Sequence, residues 1–166
     1  ILSLVVGTFF SLMTPVFISL VRFQTDTKIG FSPTQATTLY QVLAFVLLAI
    51  GLYFVYKLSK KSMRVVGGLL GVGLFSLVSF MAFNQYIYVD EDYIEAGNGF
   101  GGNQYGWSEI KELYYDKNDD GVEWFELVTS DGNKIEVVFG GLLNTAAKNH
   151  IRRSIESHGV KMIDIS

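Results

Sequence analysis

A chain of 166 residues with no cysteine and a formal net charge of −3 has no disulfides, no thiolate nucleophile and no cysteine-based zinc site. Its halves differ sharply: residues 1–83 hold six Lys or Arg against one Asp (+5), whereas residues 84–166 hold seven against fifteen Asp or Glu (−8). The acidic half argues against nucleic acid as a partner and leaves no expected site for anionic lipid headgroups, since both need clustered Lys and Arg.

Three stretches have the length a bilayer demands, about 20 apolar residues for a core of roughly 30 Å. They are Ile1–Val21, Thr37–Tyr56 and Met63–Phe83. No Asp, Glu, Lys or Arg falls inside the first two, and Arg64 at the edge of the third can snorkel to the interface. Ile1–Val21 is longer than a signal-peptide core of roughly 7–15 residues and shows no small-residue cleavage site before Arg22, so it reads as a span. Pro15 should kink it, either as a tolerated bend or as a hinge. Gly67 and Gly71 form a small-xxx-small pattern suited to close helix packing, within this bundle or in a dimer. Gln41, the most obvious polar side chain in the spans, is placed to bond across helices.

The loop "KLSKKSMR" carries Lys57, Lys60, Lys61 and Arg64 with no acid, and such short loops stay in the cytoplasm. A multi-pass protein of the cell membrane follows as the expectation, with the Arg22–Pro33 loop and everything after Phe83 extracytoplasmic. The domain boundary falls between residues 83 and 84, with three spans before it and a soluble domain after it.

After Phe83 the period changes. "YIYV", "DYIEA", "WSEIKELYY", "VEWFELVT" and "KIEVVF" are strand-like segments separated by "DED", "GNGFGGNQ", "DKNDDG" and "SDGN". Gly, Asn and Asp supply the positive φ that tight hairpins need. Phe125 and Leu127 share one face, as do Ile135, Val137 and Phe139, while Lys134 and Glu136 point the other way, the pattern of a sheet with one wet side. The period then becomes helical: Leu143, Ala147, Ile151 and Ile155 recur every four residues, with Asn144 or Thr145 as cap and Gly159 as terminator. "VKMIDIS" adds a last strand or a tail.

The opening strand leading to Ile94, the Trp107-Ser108-Glu109-Ile110 element, the hairpin ending at Asp131-Gly132 and the closing helix together carry a resemblance. The chain resembles the membrane-anchored bacterial PH-like domain proteins over roughly residues 86–158. The resemblance implies transmembrane helices followed by a small antiparallel PH-like β-sandwich or barrel closed by one helix, with Trp107 and Ile110 in its core. It also implies binding, scaffolding or immunity against membrane-active peptides. Many relatives are expected to face the cytoplasm, which departs from the orientation set by the positive loop.

Candidate chemistry is sparse. "DKNDDG" matches the first half of a calcium loop, with oxygen ligands at Asp116, Asn118 and Asp120 before Gly121, but the twelfth position is Leu127 rather than a carboxylate. The plainer reading is an acidic hairpin tip, and no cofactor other than a weak Ca2+ site is expected. His150 and His158 stand eight residues apart with no third zinc ligand at suitable spacing. Neither a Gly-x-Ser-x-Gly elbow nor a phosphate-binding Gly-Lys-Ser/Thr loop is present. Phe100 and Tyr105, in or beside the Gly-rich segment, are candidates to insert into a partner.

The expectation is a non-enzymatic, membrane-anchored interaction module, an accessory or scaffolding subunit that contacts another membrane protein as well as the bilayer. The alternative is an immunity or stress-protection protein that intercepts a membrane-active cationic peptide. An enzyme acting on lipid or cell-wall substrates would need a cleft with perturbed carboxylates.

Overall fold

Two apolar runs of 23 residues, without a proline and with charge confined to Lys57 at the end of the first and Lys61 and Arg64 in the first turn of the second, form the first two helices of the computed structural model, α1 (Gln35–Lys57) and α2 (Lys61–Phe83). The structure describes residues 28–119, 121–140 and 143–165. Each of the two helices is long and apolar enough to cross a membrane, and only 17% and 22% of their most apolar windows are buried. The first expected span, Ile1–Val21 with Pro15, lies outside the described residues, so two candidate spans rather than three are seen.

α1 and α2 run antiparallel and pack through small residues. A Cβ built on Gly51 would stand 2.6 Å from the Cα of Gly71, so the two backbones touch where only glycine fits. Gly67 and Gly68 continue this seam against Phe54 and Val55. The hairpin closes at one end through residues 58–60, where Arg64 Nε donates to the Leu58 carbonyl. At the other end Thr34 N donates to Gln85 O at 3.1 Å, and the Thr37 hydroxyl donates to the same carbonyl. The helical unit comprises Pro33–Gln85 together with Asn98–Gly101, the tip of a β-hairpin.

The remaining described residues form the sheet unit. One sheet has the order β1 (Lys28–Pro33), β2 (Tyr86–Asp90), β3 (Tyr93–Gly97) and β4 (Gly102–Gly106). β1 falls in the stretch expected to be an inter-span loop; its six residues show too little alternation to announce a strand, and pairing with β2 supplies the rest. The second sheet has the order β7 (Lys134–Val138), β6 (Glu123–Thr129), β5 (Ile110–Lys117) and β8 (Met162–Asp164). β5–β6 and β6–β7 are antiparallel, while the short β8 lies parallel to β5, with Leu113 opposite Met162.

The expected barrel does not close. β5 is paired by β6 on one side and, at Leu113–Tyr115, by β8 on the other, and β4 does not pair with it. β4 therefore ends its sheet as an open edge.

Helix α3 (Thr145–Ser157) caps the core as its period requires. The Asn144 side chain accepts from the N–H groups of Ala146 and Ala147, and Gly159 leaves the helix at φ 84°. Ala147, Ile151 and Ile155 are fully buried in an apolar cluster that draws on both sheets. Trp107 and Ile110 belong to this cluster, and the Trp107 indole donates to Glu91 O at 2.8 Å, which satisfies its one donor. On β6 and β7, Phe125, Leu127, Ile135 and Val137 point inward and Lys134 and Glu136 outward, as their alternation requires. All five residues of β2 are buried, so this strand has no wet face.

Candidate functional site

Gly102, Asn103 and Gln104 at the start of β4 are exposed, and on their inner side they pair with Gly97, Ala96 and Glu95 of β3. Among the described residues no strand pairs with the outer side of β4. A polar groove of about 560 Å³ runs beside this edge, lined by Asn103, Gln104, Tyr105, Glu109, Asp131 and Asn133.

Each wall of the groove is held by its own hydrogen bonds. Glu109 reaches back to accept from Gly106 N at 2.7 Å, fixing the turn that leads out of β4. On the β6–β7 turn, Gly132 supplies a positive φ of 84°, and Asn133 Nδ2 donates to Asp131 at 2.7 Å and to the Tyr105 hydroxyl at 3.1 Å. The Thr129 hydroxyl and, secondarily, the Asn133 backbone hold the Asp131 carboxyl below its usual range. Glu109 and Asp131 are the charged side chains of the lining, so the groove offers anionic oxygens and amides beside unpaired backbone.

β4 is positioned from behind by a buried carboxylate. Glu95 is 7% exposed; it accepts from the Tyr86 hydroxyl and from Gln104 Nε2 at 3.1 Å. A Cβ on Gly102 would stand 2.1 Å from Glu95 Oε1, so glycine is required there for β4 to close on this group. Tyr88 makes a second such pair, donating to Asp90 at 2.6 Å. Sequence reasoning missed Glu95: it sits in a regular alternating strand, and nothing local says that its polar face is covered.

A second groove of about 290 Å³ opens at the start of α3, beside Glu123, Phe139, Asn144, Thr145 and Lys148. Glu123 accepts from Lys148 Nζ and from the Tyr115 hydroxyl at 3.1 Å, and these two partners, Lys148 foremost, hold its carboxyl below the usual range. Lys148 Nζ also lies 4.7 Å from the Tyr115 ring centre, a cation–π contact that ties α3 to the second sheet. Glu123, Lys148 and Tyr115 satisfy one another, which makes this contact a fastening between α3 and the second sheet.

The residues singled out from sequence are placed as follows. Phe100 is 70% exposed at the β3–β4 tip, whereas Tyr105 is 9% exposed and part of the core, so the two do not form one surface. Asn118 uses its side-chain oxygen to accept from Val122 N at 2.8 Å, and Asp116 Oδ1 accepts from Lys117 N at 2.7 Å; both oxygens serve the hairpin turn. Asp120, the third expected calcium ligand, lies outside the described residues. Among the described residues no three His, Cys, Asp or Glu side chains are grouped to hold a metal ion. Gly71 lies against Gly51 and Gly67 against Phe54, both within the α1–α2 seam. Gln41 is buried, yet its Oε1 has no hydrogen-bond partner. His150 stands edge-on to Trp107 with ring centres 5.8 Å apart, and His158 Nδ1 donates to Ser154 O at 2.7 Å. In comparisons with known proteins, the chain matches no family model and no curated protein.

Proposed function

We propose that this protein is a non-enzymatic, membrane-anchored interaction module that receives an extended segment of another membrane protein along the open edge of β4. The unpaired outer side of β4, flanked by a polar groove, is the observation that carries this reading. An added strand completes main-chain hydrogen bonds, while side chains beside the edge select the partner. The two lipid-compatible helices supply the anchor. The succession of two small sheets and a closing helix is in keeping with a PH-like module of a bacterial membrane protein. Four cations at the α1–α2 turn, Lys57, Lys60, Lys61 and Arg64, support a cytoplasmic turn and hence an extracytoplasmic sheet unit.

A second reading, interception of a cationic membrane-active peptide, is favoured by the same groove, whose charged side chains are Glu109 and Asp131 in a half of net charge −8. One experiment separates the two. Native protein extracted under gentle conditions should run in an assembly larger than the bare chain, and Asn103→Arg, which sets a bulky cation beside the edge, should return it to bare size. Wild type running as a bare monomer sinks the accessory-subunit reading. Saturable binding of a Lys-rich peptide to that monomer, lost in Asn103→Arg, would then establish the second, and absence of such binding removes both.

A further inference from the structure

The tip of the β3–β4 hairpin, Asn98–Gly101, belongs to the helical unit. Gly99 N donates to the Asn84 carbonyl at 3.0 Å, and a Cβ on Gly99 would stand 3.8 Å from Met81 Cβ, so the tip lies against the last turn of α2. Phe100, the next residue, is 70% exposed, more than any other large apolar side chain outside the two long helices among the described residues.

The level of that turn relative to a bilayer follows from length. The 23 residues of α2 rise about 34 Å at about 1.5 Å each, against a hydrocarbon core of roughly 30 Å, so the helix end at Phe83–Asn84 reaches the interface. The tip is also chemically prepared to leave water. The segment "NGFGGN" bears no charge. Asn98 Oδ1 accepts from Phe100 N and Gly101 N, both at 3.1 Å, and Asn98 N donates to Gly101 O at 2.9 Å. Backbone groups bonded in this way lose little on desolvation, whereas an aromatic ring at headgroup depth gains from burial.

We propose that Phe100 is a lipid-interface anchor: its ring enters the boundary between headgroups and acyl chains beside the end of α2. This rests on reading α1 and α2 as membrane spans. The occupant is the bilayer, because the tip that carries the ring lies against the last turn of a helix whose Leu77 and Phe80 are themselves 51% and 52% exposed.

The absence of cysteine allows a direct test on the full chain in phosphatidylcholine liposomes. Spin labels are placed at Gly101→Cys, where a Cβ meets open space, at Val72→Cys as the lipid reference and at Asp119→Cys as the aqueous one. Power saturation compares collisions with oxygen and with a water-soluble nickel chelate. The Gly101 label should prefer oxygen to a degree between the two references, and Phe100→Ser should abolish that preference while Phe100→Trp keeps it. An aqueous signal at Gly101 with Val72 in lipid overturns the anchor alone. Aqueous signals at both positions overturn the membrane reading and the anchor with it, and a Gly101 label shielded from both reagents overturns the anchor in favour of protein cover.

Discussion

In the sheet unit the buried Asp90, Glu95 and Thr129 are each hydrogen-bonded, whereas in the helical unit Thr37 and Asn84 are bonded but the buried Thr34 Oγ1, Gln41 Oε1 and Ser79 Oγ have no hydrogen-bond partner. The sheet unit packs large side chains such as Phe125, Leu127 and Ile151 and satisfies the polar groups it encloses. The helical unit differs: it brings backbones together at Gly51 and Gly71 and leaves three buried side-chain atoms unmatched among the described residues. Two helices long and apolar enough to cross a membrane would meet a different solvent from the sheet unit, and the difference is the one two such solvents would produce. In water an orphaned buried group costs about 1–3 kcal/mol, and burial of apolar surface provides the drive. Between apolar helices in lipid that drive is absent, so closeness of backbones matters more, and interhelical hydrogen bonds contribute little on average.

The strongest way to break this comparison is at the glycine seam. Gly71→Leu should destabilise the α1–α2 hairpin by about 3 kcal/mol or more, because its Cβ would stand 2.8 Å from Gly51 Cα and neither backbone can yield cheaply. Gly73→Leu meets open space and should leave the hairpin intact. Unfolding in detergent, followed by far-UV circular dichroism, checks both. Equal losses in the two variants would mean that helix propensity rather than the seam decides.

Polar replacements sharpen it next. Thr129→Val removes the hydroxyl that donates to Asp131 and accepts from Asn133 N at 3.0 Å, and should cost about 1–3 kcal/mol. Gln41→Leu removes an acceptor that was never satisfied and should be neutral or stabilising. Thermal midpoints of the two variants should move in opposite directions or differ clearly in size; a matching loss at Gln41 would show that this amide does work in the helical unit.

The smallest expected effect is with pH. Glu123 and Asp131 both titrate below their ordinary range in the folded sheet unit, Glu123 chiefly through Lys148 and Asp131 chiefly through Thr129. Their contribution to stability is present above the unfolded values of about 4, and it is lost as pH falls through the lower folded values. Acid should therefore loosen the sheet unit while leaving the helices, which contain no Asp or Glu, unaffected. Lys148→Met should flatten the acid limb of the melting curve measured between pH 5 and pH 2; an unchanged limb would remove Glu123 from this role.

Much of the architecture was legible from local signals. Two long apolar runs predicted α1 and α2 to within two residues at each end, since length and scarcity of charge suffice for that. Alternation at Phe125, Leu127, Ile135 and Val137 and the four-residue period from Leu143 to Ile155 assigned inner faces, because each period maps directly onto one side of its element. β1 was not legible: six residues with a glycine and a proline acquire strand structure only by pairing with β2, about fifty residues away in sequence. The fate of Tyr105 was not legible either; it stands five residues after Phe100 beside the same Gly-rich segment, yet it joins the core at the end of β4 while Phe100 remains exposed at the tip.

What the sequence determined by itself, then, is composition along the chain: where apolar length suits lipid, where period 2 gives way to period 3.6, and where Gly, Asn and Asp allow turns. Those are properties of neighbouring residues, and neighbouring residues set them. Only the tertiary structure decided that β8 takes the free side of β5 and leaves β4 open, that Glu95 is buried behind Gly102, and that Asn98–Gly101 joins the helices rather than the sheet. Each of these depends on which distant segment wins a shared edge or face, a competition settled by pairing and burial across the whole chain and therefore invisible in any single stretch.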